Sequence, residues 1–228
     1  KNGVLAMYKP PNLPIHEGGA YKNNTFCRLL AEKVSPSWSP IHRLDRETSG
    51  IVLCAETTEL RGQLSESLRT HEMIKIYTAI GIGEAKDKKW TVEQPLGPCL
   101  KTELRTKQGV REDGSYSLTE FEVLEQKNGF CLMKVKPKTG RTHQIRVHAA
   151  WSNLPLVGDK KYCPDESVTL EYLNEGYTPR VEAMCYSERL CLHATSLEFY
   201  HPLDKKRHKV SYNVPHDMLT LWKKLTTL

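Results

Sequence analysis

Residues 42–55 read HRLDRETSGIVLCA, a charged loop that runs directly into an apolar segment. The segment Ile51 to Ala55 is β-branched and apolar, which predicts a strand in the core. A loop that feeds a core strand is fixed at one end, and such loops are suited to hold a catalytic group. In this loop Asp45 is flanked by cationic residues that favour its ionised form, as a nucleophile requires. Asp45 is therefore a candidate catalytic residue, and an exposed, salt-bridged turn is the alternative.

Apolar patterning on both sides of this strand predicts further strands and helices. Asn128-Gly129 lies between two strand candidates and indicates an antiparallel hairpin, because both residues tolerate positive φ. Thr25 and Thr57-Thr58 precede apolar residues at helical spacing and are candidate helix caps. The other expected strands are Val4 to Tyr8, Lys75 to Ile82, Ser117 to Leu124, Phe130 to Val135 and Leu190 to Phe199, and a closing helix is expected over Pro215 to Leu225.

The order of these elements intermixes strands and helices without regular βαβ alternation. Such an order favours an α+β fold around a mixed, largely antiparallel sheet flanked by helices. Residues 84–113 are dense in Lys, Arg, Gly and Pro and are expected to form extended connections, while residues 165–180 are expected to form a loop or a short helix. Neither segment is long enough for a domain, so we expect one domain over residues 1–228.

The composition limits the class of protein. Hydrophobic residues make up 39% and charged residues 26% of the chain, as in ordinary globular proteins, and no apolar run is long enough to span a membrane. Seven cysteines without a C-x-x-C pair indicate reduced thiols in a cytoplasmic protein and argue against a disulfide framework or a zinc site. The formal charge of +6 favours a polyanionic partner.

A second charged cluster, KTGRTHQIRVH, occupies residues 138–148. Thr142 is the candidate cap of a helix whose apolar face places Arg146 among inward-facing residues. A partly buried arginine needs an anion, which could be the Asp45 carboxylate or a backbone phosphate of a polyanionic partner. The alternative is a basic helix start that is simply solvated.

These two clusters resemble the signatures of a known family, the RluA-type pseudouridine synthases. Residues 42–50, which we call the signature loop, match H-R-L-D-x-x-T-S-G, and residues 140–148 match G-R-T-H-Q-I-R-x-H. Ordered matches along nearly the whole chain are far more specific than either cluster alone. The further matching segments are Tyr8-Lys9-Pro10-Pro11, Lys75-Ile76-Tyr77, Gly158-Asp159-Lys160-Lys161-Tyr162, Leu192-His193-Ala194 and His201-Pro202.

The resemblance implies a role for several matching residues. Asp45 would be the catalytic carboxylate, and Arg146 would pair with it and orient it. Tyr77 would stack on the target base and is a candidate for proton transfer. Arg43 would help to place or replace the flipped nucleotide, and Leu192 would line the apolar wall beneath the base. The residues expected to bind substrate are Arg43, Arg141, His143 and Leu192.

The resemblance also implies an enzyme, an RNA pseudouridine synthase that isomerises specific uridines of structured ribosomal or transfer RNA after flipping the base. Substrate and product have the same atoms, so no cofactor is expected. His143 and His148 are five residues apart with no acidic or cysteine partner at regular ligand spacing, so no metal is expected either. We expect a monomer without membrane association, and no separate RNA-binding domain in this chain.

Two other functions are compatible with the sequence. One is a non-catalytic RNA-binding or RNA-chaperone protein on the same scaffold, and the other is a hydrolase that uses Asp45 and His42 on a small substrate.

The basic stretches at residues 86–89, 101–111 and 205–209 could follow RNA phosphates or form a solvated surface.

Overall fold

The structure, a computed structural model, describes residues 2–18, 21–104 and 106–227. The chain forms two compact units, and each unit is built from two separate stretches of sequence. Unit 1 comprises residues 1–76 and 193–213, and unit 2 comprises residues 77–192 and 214–228. The expectation of one catalytic domain over residues 1–228 stays a prediction.

Strands and helices are intermixed along the chain without regular alternation, as predicted for an α+β fold. The strands are β1 (Val4–Lys9), β2 (Ser39–Pro40), β3 (Ser49–Ala55), β4 (Ile74–Ile82), β5 (Lys89–Glu93), β6 (Leu96–Pro98), β7 (Gln108–Val110), β8 (Leu118–Lys127), β9 (Phe130–Pro137), β10 (Leu192–Tyr200) and β11 (Arg207–Ser211). The helices are α1 (Phe26–Lys33), α2 (Thr58–Arg69), α3 (Gln144–Trp151), α4 (Glu166–Glu175), α5 (Pro179–Cys185) and α6 (His216–Thr227).

Strand β3 organises the sheet of unit 1, and all seven of its residues are buried. It pairs antiparallel with β1, from Val4 opposite Ala55 to Lys9 opposite Gly50, and with the short strand β2. The beginning of β10 runs parallel to the beginning of β3, and β11 pairs antiparallel with β10. Parallel and antiparallel pairs therefore occur in one sheet, which confirms the predicted mixed sheet.

The parallel contact between β3 and β10 depends on a glycine. Gly50 has a φ of +124°, and a Cβ atom at this position would overlap the backbone and side chain of Ala194 on β10. Only a residue without a side chain lets the two strands approach so closely. The last residue of the signature loop is thus required by the sheet itself.

Helix α2 packs its apolar side against the sheet of unit 1. The helix is capped by Thr57, whose side-chain oxygen accepts a hydrogen bond from the amide of Leu60 at 3.2 Å. Leu60 and Leu64 then join Leu53 of β3 in one hydrophobic cluster. Helix α1 is capped in the same way by Thr25. Both predicted helices and their threonine caps are confirmed.

Unit 2 is built on four antiparallel strands in the order β4, β9, β8 and β5. Strands β8 and β9 are joined by Asn128-Gly129, with φ values of +52° and +76°, which confirms the predicted hairpin. The predicted connection at residues 84–113 contains β5 and a separate pair, β6 with β7. Arg105, which belongs to the basic stretch at residues 101–111, lies outside the described residues.

Helix α6 is the predicted closing helix. Its residues Met218, Trp222 and Leu225 share a hydrophobic cluster with Ile80 of β4 and Phe130 of β9. The segment at residues 165–180 contains the short helix α4, as expected, and the start of α5. Within residues 2–18, 21–104 and 106–227, no helix combines the length and the apolar character needed to cross a membrane.

Helix α3 does not use the predicted cap. It begins at Gln144, and the N-cap position is His143, which has a φ of +55° and makes no side-chain capping hydrogen bond. The side-chain oxygen of Gln144 instead accepts the backbone N–H of Arg141 at 3.0 Å and the hydroxyl of Thr139 at 2.7 Å. The prediction of Thr142 as the cap was wrong, because Gln144 closes the preceding turn from inside the helix.

Substitution of Gly158 and Gly129 can test how closely the backbone is packed in unit 2. Their φ values are +77° and +76°, but a Cβ atom at Gly158 would overlap the Arg189 carbonyl, whereas one at Gly129 would meet nothing within 4 Å. We expect Gly129→Ala to lower the free energy of unfolding by about 1 to 2 kcal/mol through backbone strain alone. Gly158→Ala should cost about 2 kcal/mol more, because the neighbouring backbone must move. Urea unfolding followed by circular dichroism measures both values, and equal losses would contradict the close packing at Gly158.

Candidate active site

The signature loop lies in unit 1 and holds two of the predicted site residues. Arg43 is exposed, Asp45 is half-buried, and Leu44 between them is only 4% exposed. The Asp45 carbonyl accepts the amide N–H of Thr48 at 3.1 Å, which makes a tight turn before β3. Leu44 therefore anchors the loop in the core, while the side chains on either side of it stay partly accessible to solvent.

His42 fastens the beginning of the signature loop to β3. Its Nε2 atom accepts the backbone N–H of Leu53 at 3.0 Å. Burial, and to a smaller extent the charge of Lys75, lowers the pKa of His42 to about 4. The imidazole is therefore neutral near pH 7 and its acceptor nitrogen is occupied. This arrangement argues against a hydrolase in which His42 is the general base.

A buried hydrogen bond fastens the end of the signature loop. Ser49 Oγ and His193 Nδ1 lie 2.8 Å apart, and both residues are fully buried. Tyr8 and Tyr212 stack at a centroid distance of 4.7 Å next to the His193 ring. The bond joins two segments that are 144 residues apart in the sequence. The beginnings of β3 and β10 are thus connected through their side chains as well as their backbones.

Lys9 forms a hydrogen bond to the middle of the signature loop, a role that was not predicted from the sequence. Lys9 is fully buried at the end of β1. Its Nζ atom donates to three carbonyl oxygens, those of Pro10 at 2.9 Å, Leu13 at 2.7 Å and Arg46 at 2.9 Å. Arg46 follows Asp45, so the ammonium group holds the backbone next to the candidate carboxylate. The available sequence signal was a lysine between a predicted strand and two prolines.

In unit 2, Arg146 forms a buried ion pair with Asp159. Its Nε and Nη2 atoms donate to the two carboxylate oxygens at 2.7 and 2.8 Å, and the side chains are 3% and 0% exposed. Asp159 also accepts the backbone N–H groups of Lys161 and Tyr162 at 3.1 and 3.2 Å. Arg146 is buried with an anion, as predicted, but Asp159 was not among the expected anions. The orientation of Asp45 by Arg146 stays a prediction.

Tyr162 lies beside two of the predicted site residues. The Arg146 guanidinium carbon is 5.1 Å from the centroid of the Tyr162 ring, a cation–π geometry. The Tyr162 hydroxyl accepts the backbone N–H of Gln108 at 3.0 Å and is 2.7 Å from His143 Nδ1. The ring is 6% exposed and packs with Leu96. Tyr162 occurs in a matched segment, yet no role was predicted for it.

The turn before α3 and the beginning of this helix bring together three predicted site residues, Arg141, His143 and Arg146. Arg141 is exposed, and its Nε atom donates to the carbonyl of Tyr116 at 3.1 Å. His143 is half-buried at the N-cap position. The turn therefore presents an exposed guanidinium and a half-buried imidazole next to a buried arginine. Substrate binding by Arg141 and His143 stays a prediction.

The two remaining candidates lie on strands. Tyr77 is on β4 opposite Val135 of β9, and it is 8% exposed. Leu192 is the first residue of β10 and is 3% exposed. Their expected contacts with the target base stay predictions.

His148 is a core residue. It is fully buried, with Nδ1 2.8 Å from the Thr119 hydroxyl and Nε2 3.0 Å from the Gln94 carbonyl oxygen. Burial lowers the pKa of His148. Among the residues that the structure describes, no group of three or more His, Cys, Asp or Glu side chains is arranged to hold a metal ion.

The titration of Lys9 makes the stability of the protein depend on pH. Burial lowers the pKa of Lys9 from 10.5 to about 7, although the carboxylates of Glu47 and Asp45 raise it. Between these two pKa values the unfolded chain binds a proton that the folded protein does not, so stability rises as pH increases from 7 towards 10.5. We expect Lys9 to contribute a slope of up to about 1.4 kcal/mol per pH unit in this window.

Urea unfolding at several pH values, for the native protein and for Lys9→Met, measures this contribution. The native protein should gain stability relative to the variant as the pH is raised above neutrality. Parallel pH profiles for the two proteins would show that Lys9 keeps an ordinary pKa in the folded state.

The buried ion pair of unit 2 should be costly to break. Asp159→Ala leaves the Arg146 guanidinium without its bidentate carboxylate, and we expect a loss of about 3 kcal/mol or more in the free energy of unfolding. The matched control is Asp113→Ala, because the Asp113 side chain is 70% exposed in its pair with Arg111. The control should change stability by less than about 1 kcal/mol. Chemical denaturation of both variants tests the difference, and similar losses would refute it.

Comparison with known proteins agrees with the signature segments. A family model described as RNA pseudouridylate synthase matches residues 3–151, more than half of the chain. Ribosomal large subunit pseudouridine synthase D of Blochmanniella floridana is 31% identical, over 96% of this chain and 69% of that protein. Among solved structures, human RNA pseudouridylate synthase domain containing 1 is 25% identical with a TM-score of 0.71, over 92% of this chain and 79% of that one. Human RNA pseudouridylate synthase domain containing 4 has a TM-score of 0.75 over 99% of this chain and 90% of that one; at 22% identity it supports the fold alone.

The chain spans about two thirds of the length of the curated relatives that it matches, between 65% and 69% for the synthases of three bacteria. The family match covers both the signature loop and the segment at residues 140–148. The fold and the identity to the relatives lead to the same assignment. The chain belongs to the RNA pseudouridylate synthase family, as an RluA-type member, and the enzymes of this family isomerise uridine in RNA.

Proposed function

We propose that this chain is an RNA pseudouridine synthase that converts specific uridines of structured RNA, either ribosomal or transfer RNA, to pseudouridine. It acts in the cytoplasm as a monomer and needs neither a cofactor nor a metal. The names of the bacterial relatives refer to the large ribosomal subunit, which makes ribosomal RNA the first substrate to test.

The observation that carries this proposal is that three hydrogen bonds fix the backbone of the signature loop around Asp45. At the beginning of the loop, His42 accepts a hydrogen bond from the backbone of β3. Lys9 donates one to the Arg46 carbonyl next to Asp45, and at the end of the loop Ser49 is hydrogen-bonded to His193. Asp45 itself stays half-buried on this fixed backbone. A carboxylate held in this way needs little reorganisation when it reacts, which is the requirement for an efficient catalytic group.

The reaction breaks the N1–C1′ bond of uridine, forms the C5–C1′ bond and replaces the hydrogen on C5 by one on N1. Asp45 attacks the sugar, attacks the base or assists a glycal intermediate, and the detached uracil turns and rejoins the sugar through C5. Tyr77, water or Asp45 then accepts the proton from C5. Every atom of the substrate is retained, so the conversion requires no oxidant or donor group.

The residues of unit 2 take supporting roles in this proposal. Arg146 would pair with Asp45 and orient it, and the two hydrogen bonds that Arg146 donates to Asp159 fix the plane of its guanidinium. Tyr77 stacks on the flipped uracil, and Leu192 provides the apolar wall beneath it. A buried aromatic ring and a buried leucine are suited to contact an uncharged base.

The RNA partner is supported by charge. A base inside a helix is out of reach, so the enzyme flips the uridine and favours loops and stems that open easily. Exposed cations are available in the signature loop at Arg43, in the turn before α3 at Arg141, and at residues 205–207, which lead into β11 and include its first residue. With a formal charge of +6 on the chain, these groups are candidates for contacts with phosphates.

Replacement of the candidate nucleophile tests the proposal. We expect Asp45→Asn to lower the single-turnover rate more than about a thousandfold, because the amide cannot act as a nucleophile or base. The matched control is Glu59→Gln, an exposed carboxylate on α2 of the same unit, which should keep full activity. Carbodiimide-induced reverse-transcription stops, mapped in bulk cellular RNA, measure the conversion.

The same experiment separates the proposal from its main rival. Stops that persist with Asp45→Asn would exclude Asp45 as the catalytic group. Tight RNA binding without stops for any variant would instead favour a non-catalytic RNA-binding protein on a synthase scaffold.

A further inference from the structure

We propose that the turn between β10 and β11 is a binding site for an unpaired segment of the substrate RNA. Tyr200 stacks on a base of this segment, the cations at residues 205–207 hold its phosphates, and Asp204 is a positioning residue that orders the turn. The identity of the partner rests on the proposed function. The order of the turn does not, since it follows from contacts within unit 1.

The turn begins with His201-Pro202, a segment that matches the family and has no part in the proposed reaction. The His201 side chain is 4% exposed, and its Nδ1 atom accepts the backbone N–H of Leu203 at 3.2 Å. The backbone N–H of His201 donates to the Lys206 carbonyl at 2.8 Å, and its carbonyl accepts the N–H of Lys205 at 3.0 Å. His201 therefore fixes the backbone on both sides of the turn.

Asp204 stabilises the same turn through both of its carboxylate oxygens. Oδ1 accepts the backbone N–H of Lys206 at 3.0 Å, and Oδ2 accepts a hydrogen bond from His208 Nε2 at 2.8 Å. The His208 ring stacks on Phe199, with centroids 5.7 Å apart, and Phe199 belongs to the hydrophobic core of unit 1. The carboxylate thus connects the backbone of the turn to the core.

Three consecutive cations, at residues 205–207, are exposed at the end of this turn. The next lysine along β11, Lys209, is neutralised by Glu198 at 3.3 Å. Within the described part of the chain, residues 205–207 form no ion pair with a carboxylate. Lys205 also has a φ of +57°, and such strained conformations concentrate at binding and catalytic sites. The positive charge at the end of the turn therefore suits the phosphates of a nucleic acid.

An exposed aromatic ring lies beside these cations. Tyr200 is the last residue of β10, is 43% exposed, and pairs across the hairpin with Arg207. Side chains of directly opposite residues lie on the same face of a sheet, so the phenol ring and the guanidinium are neighbours. Proteins bind single-stranded RNA with this combination, because bases stack on aromatic rings while cations follow the phosphates. In a duplex the bases already stack on each other, so the surface fits an unpaired segment.

The experiment titrates the complete chain with a fluorescently labelled single-stranded oligouridylate and, separately, with a blunt RNA duplex of the same length. Replacement of residues 205–207 by glutamine should weaken binding of the single strand about tenfold or more and reduce its salt slope by about two. Tyr200→Ser should weaken the same binding about fivefold or more and leave the salt slope and duplex binding unchanged. Tyr200→Phe keeps the ring and should bind like the native protein.

Asp204→Ala separates ordering of the turn from simple electrostatics. If only net charge mattered, removal of a negative charge from an RNA-binding surface would strengthen binding. Because Asp204 orders the turn, we expect Asp204→Ala to weaken binding of the oligouridylate about three- to tenfold, although the chain becomes more positive. The matched control is Glu59→Ala, which removes an exposed carboxylate from α2 of the same unit and should bind at least as tightly as the native protein.

A mutant cycle distinguishes positioning from a general loss of structure. In the variant that lacks the three cations, Asp204→Ala should cause little further loss of affinity, because the groups that it positions are gone. The single-turnover rate at saturating RNA should stay within about twofold of the native rate for every variant, because none of these residues takes part in the proposed reaction. Circular dichroism should show the native fold in each case.

Three results would overturn the inference: native affinity in Tyr200→Ser or in the variant without the three cations, tighter binding by Asp204→Ala, or equal losses for the single strand and the duplex in Tyr200→Ser. Absence of any pseudouridine formation by the native chain would count against the proposed function. The binding of the oligouridylate to the turn would be unaffected by that result.

Discussion

A cation that is taken out of water must be surrounded by oxygen atoms, and this constraint shapes the candidate site segment of each unit. In unit 1 the three hydrogens of the Lys9 ammonium meet three carbonyl oxygens. In unit 2 two guanidinium nitrogens of Arg146 meet the two oxygens of Asp159. Because an unsatisfied buried charge costs several kcal/mol, neither segment can relax without a large loss of stability. Folding of the core and ordering of the site are therefore coupled.

The two buried cations are balanced in different ways. Asp159 cancels the charge of Arg146 by direct contact, so the pair is neutral as a whole. The carbonyl groups around Lys9 carry no net charge, and the balancing carboxylates are Glu47 and Asp45 of the signature loop, which act at longer range. The positive charge inside unit 1 is thus balanced partly by the candidate nucleophile itself. Lys9 and the candidate nucleophile Asp45 therefore interact electrostatically.

Much of the fold was predictable from local sequence patterns. The hairpin at Asn128-Gly129, the threonine caps of α1 and α2, and the apolar strand β3 follow from turn chemistry and side-chain periodicity. The short strands β5, β6, β7 and β11 were not predicted, because they are defined by the strands that they pair with rather than by their own composition.

The candidate site was predictable only in part, for the same reason. Asp45 and the segment at residues 140–148 are visible in the sequence as clusters, and the family match covers both. The partners of Lys9 and Arg146 are not visible, since a lysine gives no indication of which carbonyls it will meet, and Asp159 is separated from Arg146 by 13 residues. The predicted cap of α3 was wrong for a related reason. The side-chain oxygen of Gln144 accepts hydrogen bonds from Thr139 and Arg141, and these bonds depend on the turn around it.

The division of each unit into two sequence stretches also has a consequence for biosynthesis. Ribosomes make the chain from its amino end, and β3 cannot find its parallel partner β10 until the residues from His193 onward have emerged. Unit 2 likewise waits for α6 to cover its hydrophobic cluster. Partly made chains therefore carry exposed apolar strands while the residues between β3 and β10 are synthesised, which is a state that favours aggregation. Chaperones cover transiently exposed apolar surface of this kind during synthesis.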